Sequence, residues 1–133
     1  MKLKLVILSL VFTTQLFPQS ANSLFIGKWI FTFNDPSSPG DAAVDVWNFN
    51  QHSYDDTLYT VLNGTKSISR FANGIWYVRE DTLFHLNTLI SDGTGKQIHA
   101  NKTGYLGTRI IKIDSSVLIL DTPAGNYTFI KQK

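Results

Sequence analysis

The residues able to do acid–base or metal chemistry are few and scattered. His52, His85 and His99 are the only histidines. His85 lies inside an apolar run between Phe84 and Leu86, while His52 and His99 lie near loop-like stretches. A metal site announces itself by ligands at short, regular spacing, such as His-x-His or His-x-x-x-His, and no such pair is present. Hydrogen-bonded or solvated histidines account for all three, and no metal or other cofactor is expected. Asp55-Asp56 and Glu80-Asp81 are adjacent acids. Neighbours on a strand point to opposite faces, so neither pair forms an acid/base couple, and both read as solvated turn residues. Asp45 alternates with Trp47 and Phe49 and so shares their face. If that face is inward, Asp45 is the acid placed to touch a ligand. Gly93-Thr94-Gly95-Lys96 is half of a phosphate loop without its full spacing or a following helix. Cysteine and Gly-x-Ser-x-Gly are both absent from the sequence. No catalytic residue is assigned and an enzyme is not expected. An enzymatic alternative would need polar groups converging in one cavity, with Asp45 and His85 as its candidates.

The elements that must position these residues are strands. Trp29, Phe31 and Phe33 alternate with Lys28, Ile30 and Thr32 across 27–34, the period-two signature of a half-buried strand. Further short β-rich runs follow at 43–50, 56–62, 65–72, 75–79 and 82–90. A run within 96–114 breaks near Gly104 and Gly107, and the last two occupy 117–121 and 126–131. Turn residues cut them every eight to twelve positions, the rhythm of a sandwich or barrel. Asn63-Gly64 and Asn73-Gly74 each read as a tight hairpin turn, because both residues tolerate positive φ. These signals predict an all-β domain of 8–9 antiparallel strands in nearest-neighbour, up-and-down order. Closing the sheet into a β-barrel removes its exposed edges.

The N-terminal segment has a different composition. Lys2 and Lys4 precede a mostly apolar stretch over 5–17, and Ala21-Asn22-Ser23 places small residues at a cleavage site. This is the pattern of a signal peptide over 1–23, leaving a domain over 24–133 and a secreted or periplasmic protein. With Lys2 and Lys4 removed from the 12 basic residues, ten bases face ten acids, so the domain is formally neutral. A neutral domain without a basic stripe gives no reason to expect nucleic acid as a partner. No second long apolar run follows, so no membrane span is expected after signal cleavage. The domain is about 110 residues, enough for one core without disulfides.

Several short motifs resemble a known family. Gly27-Lys28-Trp29 is similar to the Gly-x-Trp signature that opens the lipocalin barrel. Trp47-Asn48-Phe49-Asn50, Gly74-Ile75-Trp76, and the run 113–120 followed by Tyr127-Thr128-Phe129-Ile130-Lys131 resemble successive strands of small bacterial lipocalin-like (calycin-type) domains. The Thr-Asp-Tyr motif of the core family and a C-terminal helix are missing. The resemblance implies a lipocalin-like barrel with a ligand cavity open at one end. It also implies a late basic residue, Lys131 or Arg109, lying over Trp29. The expected function is binding of an apolar or amphipathic small molecule, and loops 35–42 and 92–95 would control access if they lie at the mouth. Trp29, Phe31, Phe33, Asp45, Trp47, Phe49, Trp76 and Tyr77 are the candidate core or cavity residues. An eight-stranded barrel is just wide enough to be filled by side chains or to hold one small ligand. A filled barrel acting as a protein-interaction module or enzyme inhibitor in the cell envelope is therefore the alternative.

Overall fold

A computed structural model describes residues 22–98 and 104–133; His99 and the leader up to residue 21 lie outside them. A single helical turn over 22–25 precedes nine strands. They are β1 (Gly27–Asn34), β2 (Ala42–Phe49), β3 (Ser53–Leu62), β4 (Thr65–Arg79), β5 (Thr82–Asp92), β6 (Gln97–Ile98), β7 (Leu106–Ile113), β8 (Val117–Thr122) and β9 (Gly125–Gln132). Neighbours in sequence pair antiparallel, except that β6 and β7 both pair with β5; β9 returns to β1, and β4 pairs with β5. Eight strands thus close an up-and-down antiparallel barrel, and the two-residue β6 attaches to the end of β5.

Local chemistry explains the joints. Asn63 and Gly64 have φ of 50° and 78°, the left-handed pair that a two-residue hairpin between β3 and β4 requires. Three loops use one device: the carboxylates of Asp35, Asp92 and Asp114 accept hydrogen bonds from Ser37, from Thr94 and Lys96, and from Ser116 and Val117. Those hydrogen bonds hold all three carboxyls below the usual aspartate range. The run 92–96 is thus an aspartate-capped turn.

Asn73-Gly74 is not a turn. β4 runs unbroken through it, and the expected strands 65–72 and 75–79 are one strand of 15 residues. The glycine serves a close approach instead. β5 carries one extra residue opposite this point, Thr88, and the bulge drives the Leu86 carbonyl against Gly74. A Cβ on residue 74 would lie 1.9 Å from that oxygen and 3.0 Å from the ring of Tyr54.

One end of the barrel is packed solid. Phe25, from the helical turn, lies 5.2 Å from the Phe49 ring and 5.5 Å from that of Trp76. Trp29, Tyr54, Leu83, Leu118 and Phe129 complete the buried layer. Each large apolar side chain buried this way contributes about 1.5–3 kcal/mol. Indole N–H groups are satisfied within the plug: Trp29 donates to the Phe25 carbonyl at 2.8 Å, and Trp76 to that of Asn50 at 2.9 Å. Lys131 lies 5.2 Å above the Trp29 ring and donates to the Leu24 carbonyl at 3.0 Å. Lys131 therefore takes the place expected of the late basic residue. Arg109 does not; it faces Asp81 at 3.4 Å on the surface. Leu24 and Phe25, immediately past the expected cleavage point, are already part of this closed end.

Replacement of Gly74 by Ala should cost more than about 2 kcal/mol, because backbone and a buried ring must both retreat. Urea unfolding of the variant checks this, and an unchanged midpoint would contradict it.

Candidate functional site

The opposite end is not filled. A cavity of about 330 Å³ opens there, lined by Phe31, Phe33, Ala43, Asp45, Leu58, Arg70 and Tyr127. Phe31, Ala43 and Asp45 arrive by the inward alternation of β1 and β2, which pair Phe33 with Ala43 and Phe31 with Asp45. Phe31 and Tyr127 stack at 4.4 Å with their planes 11° apart and form one wall. Phe33 stands at the lip, 58% exposed. The segment 35–41 continues from β1 at this end. The 92–95 turn lies at the same end, since Asp92 pairs with Arg70. Both expected rim loops are at the mouth.

Arg70 is inside because of a bulge. Counting back from the Asn63-Gly64 turn, β3 and β4 pair regularly as far as Tyr59 and Ile68; then Ser69 is skipped and Leu58 pairs with Arg70. The extra residue exchanges the two faces of β4 beyond it and turns Arg70 inward. There its guanidinium donates to Asp56 at 3.0 Å.

Asp56 corrects the reading of the sequence. The pair Asp55-Asp56 is not at a turn, since β3 begins at Ser53, and Asp56 is only 5% exposed. Asp45 is its diagonal neighbour on β2, because Asp45 pairs with Leu58 and Trp47 with Asp56. One oxygen of Asp45 accepts from the Trp47 indole at 2.8 Å. The other, and one oxygen of Asp56, are buried without a donor among the described residues. A proton retained on Asp56 resolves both, since its O–H then bonds to Asp45. Burial, that hydrogen bond and the charge of Asp45 push the Asp56 carboxyl up to about 8, with Arg70 opposing.

Below this floor lies a second polar layer. Trp47 stacks on Tyr54 at 5.5 Å and meets the edge of His85 at 5.3 Å. Burial raises the Tyr54 hydroxyl well above its ordinary value, and the charge of Asp56 adds to this; the hydroxyl donates to Asn87. Burial and the nearby Arg70 hold His85 below the usual histidine range, so it is neutral at pH 7. Its Nδ1 is buried without a partner among the described residues.

Of the eight expected residues, Phe31, Phe33 and Asp45 line the cavity. Trp47 supports its floor through Asp45, and Trp29, Phe49 and Trp76 belong to the plug. Tyr77 lies on the outer wall, 41% exposed, stacked on Phe84 at 5.0 Å and against Tyr105 at 5.1 Å. Its neighbour Trp76 takes the inner face of the same strand. Ala43, Leu58, Arg70 and Tyr127 escaped the sequence reading. Alternation from Asp45 points to Ala43, and from Phe129 to Tyr127, whereas Arg70 depends on a bulge that no local signal marks. No group of three or more His, Cys, Asp or Glu side chains among the described residues is arranged to hold a metal ion.

No protein-family model matches the sequence, and no curated protein matches it. Among solved structures, an uncharacterized protein from Bacteroides eggerthii DSM 20697 superposes with a TM-score of 0.52 at 12% identity, over 81% of this chain and 99% of that one. A lipocalin-like protein from Bacteroides uniformis ATCC 8492 superposes with a TM-score of 0.47 at 12% identity, over 82% and 99%.

Because folding raises the Asp56 pKa, the folded state holds a proton that the unfolded chain releases. The resulting stabilisation is complete below the ordinary aspartate pKa and is lost as pH rises towards about 8. Stability should therefore fall from the ordinary aspartate range up to about pH 8, by up to about 1.4 kcal/mol per pH unit, and level off above it; the window to read is about pH 7 to 8. His85 is neutral throughout that window. Asp56→Asn should flatten the slope, as followed by urea midpoints across pH; an unaltered slope would place the titration elsewhere.

Proposed function

We propose that this lipocalin-like barrel binds an amphipathic small molecule at its mouth. The observation that carries the reading is the half-filled interior: aromatic side chains plug one end, while the other opens into a cavity with apolar walls and a polar floor. Binding sites for small molecules combine concave apolar surface with a few placed polar groups. At about 330 Å³ this cavity lies near the lower end of their usual size. It suits a single ring or a short alkyl chain with one polar head. Burial against Phe31, Phe33, Leu58 and Tyr127 would supply affinity, and the Asp45–Asp56–Arg70 floor would orient the head.

On this reading the protein is a carrier or sensor without catalytic chemistry. Its exported location, secreted or periplasmic, is supported by the composition of 1–23. A second reading, an envelope protein partner, is favoured by a different feature. The outer wall exposes Ile75, Tyr77 and Tyr105 around the Tyr77–Phe84 stack. It places the working surface outside the barrel and gives the cavity no ligand.

Native mass spectrometry of protein purified from its own host, with titration of tryptophan fluorescence by short-chain alcohols and simple aromatics, separates the two. The cavity reading expects a retained small molecule or saturable quenching. Ala43→Trp, which fills the mouth from β2, should weaken binding by about tenfold or more while changing stability by less than about 1 kcal/mol. Unchanged binding in that variant would move the site away from the mouth.

A further inference from the structure

The floor of the cavity offers more acceptors than donors, and this points to the chemistry of the ligand. Resting on the mouth-binding reading above, we propose that the ligand's polar head is an amine, bound as its ammonium ion to Asp45, with its alkyl or aromatic body against the cavity walls.

Hydrogen bonding at the floor favours a donor. Asp45 lines the cavity, and its Oδ1 and the Oδ1 of Asp56 just beneath are buried with no donor among the described residues beyond the one proton retained on Asp56. With one proton shared by two buried carboxyl groups, the floor can take a head that brings N–H groups in its place, whereas a head that brings only acceptors would leave a buried acceptor without a donor. Charge acts in the same direction. Two carboxyl groups, Asp45 and Asp56, face a single guanidinium, Arg70, which is already engaged with Asp56. An anionic head would share the floor with both acids and find its only cation occupied. A cation meets the Asp45 carboxylate directly, and Asp56 supplies a second negative charge on releasing its proton. The wall agrees: the stacked rings of Phe31 and Tyr127 line the cavity, and aromatic faces attract ammonium groups.

The proton ledger closes. Without ligand, the Asp56 O–H supplies the bond to Asp45. When an ammonium N–H takes over as donor to Asp45, Asp56 releases its proton to water, and the charge gained with the ligand is balanced by the charge Asp56 acquires. The groups facing this exchange are Asp45 and the Trp47 indole on β2, Tyr54 and Asp56 on β3, Arg70 on β4, His85 on β5 and Tyr127 on β9. Of these, Asp56 is the one placed to titrate between neutrality and about pH 8. Binding is therefore linked to pH, and amine affinity should rise by up to about tenfold per pH unit below that value.

Isothermal titration with octylamine, octanol and octanoate tests this. The expected order is octylamine tightest, by about tenfold or more, then octanol, then octanoate. Measured near pH 7 in buffers of different ionisation heat, octylamine should release close to one proton and octanol none. Asp45→Asn should bring octylamine down to the level of octanol and leave octanol unchanged. The proton count on the unaltered protein serves if that variant does not fold. Octanoate binding more tightly than octylamine, equal affinity for octylamine and octanol, or no proton release would overturn the amine assignment while leaving a mouth site in place. Failure of all three probes to bind would remove the mouth site itself, and the amine assignment with it.

Discussion

Arg70 reaches the inside of the barrel because β4 carries one residue more than β3 needs. Without Ser69 in excess, regular pairing from the Asn63-Gly64 turn would put Arg70 on the face of Thr57, outside. With it, a guanidinium enters a space otherwise walled by Phe31, Leu58 and Tyr127. A charge there must be paired, and Asp56 pairs it at 3.0 Å from the neighbouring strand. The acid is then too buried to titrate normally. It draws in Asp45, and Asp45 fixes the Trp47 indole at 2.8 Å. One irregularity in one ladder thus sets the polar floor and the level at which side-chain packing stops.

Below that floor the interior obeys the limit on a small closed barrel. Eight strands enclose little more than a column of side chains, and a column of aromatics fills it. Trp47 stacks on Tyr54, and both Tyr54 and the bulge at Thr88 need the bare backbone of Gly74. The closed end is finished by Phe25 from before the first strand and by Lys131 from the last, so both ends of the domain are required to seal it. The alternatives posed by composition, a filled barrel or a pocket, are resolved as one half of each.

Strand identity was legible wherever the cause is local. The alternation of Trp29, Phe31 and Phe33 defines β1 to the residue, and Asn63-Gly64 makes the turn its φ preferences demand. The same dipeptide misleads at 73–74, because glycine there answers a carbonyl on another strand. Asp56 was hidden in a similar way. Beside Asp55 it reads as a solvated pair, and its partner Arg70 becomes a neighbour only through a hairpin and a bulge. The residues of the site that alternate with visible aromatics follow from the sequence, and those that depend on long-range register do not.

The three tryptophan indoles provide the most direct test, because they report separately on floor and plug. Trp47 donates to Asp45 beneath the cavity, whereas Trp29 and Trp76 donate to backbone carbonyls at the closed end. In a ¹⁵N-labelled sample, octylamine or octanol should shift the Trp47 indole resonance saturably and leave the other two nearly still. Shifts confined to Trp29 or Trp76, or no shift at concentrations where the ligand is shown to bind, would contradict a site at the mouth.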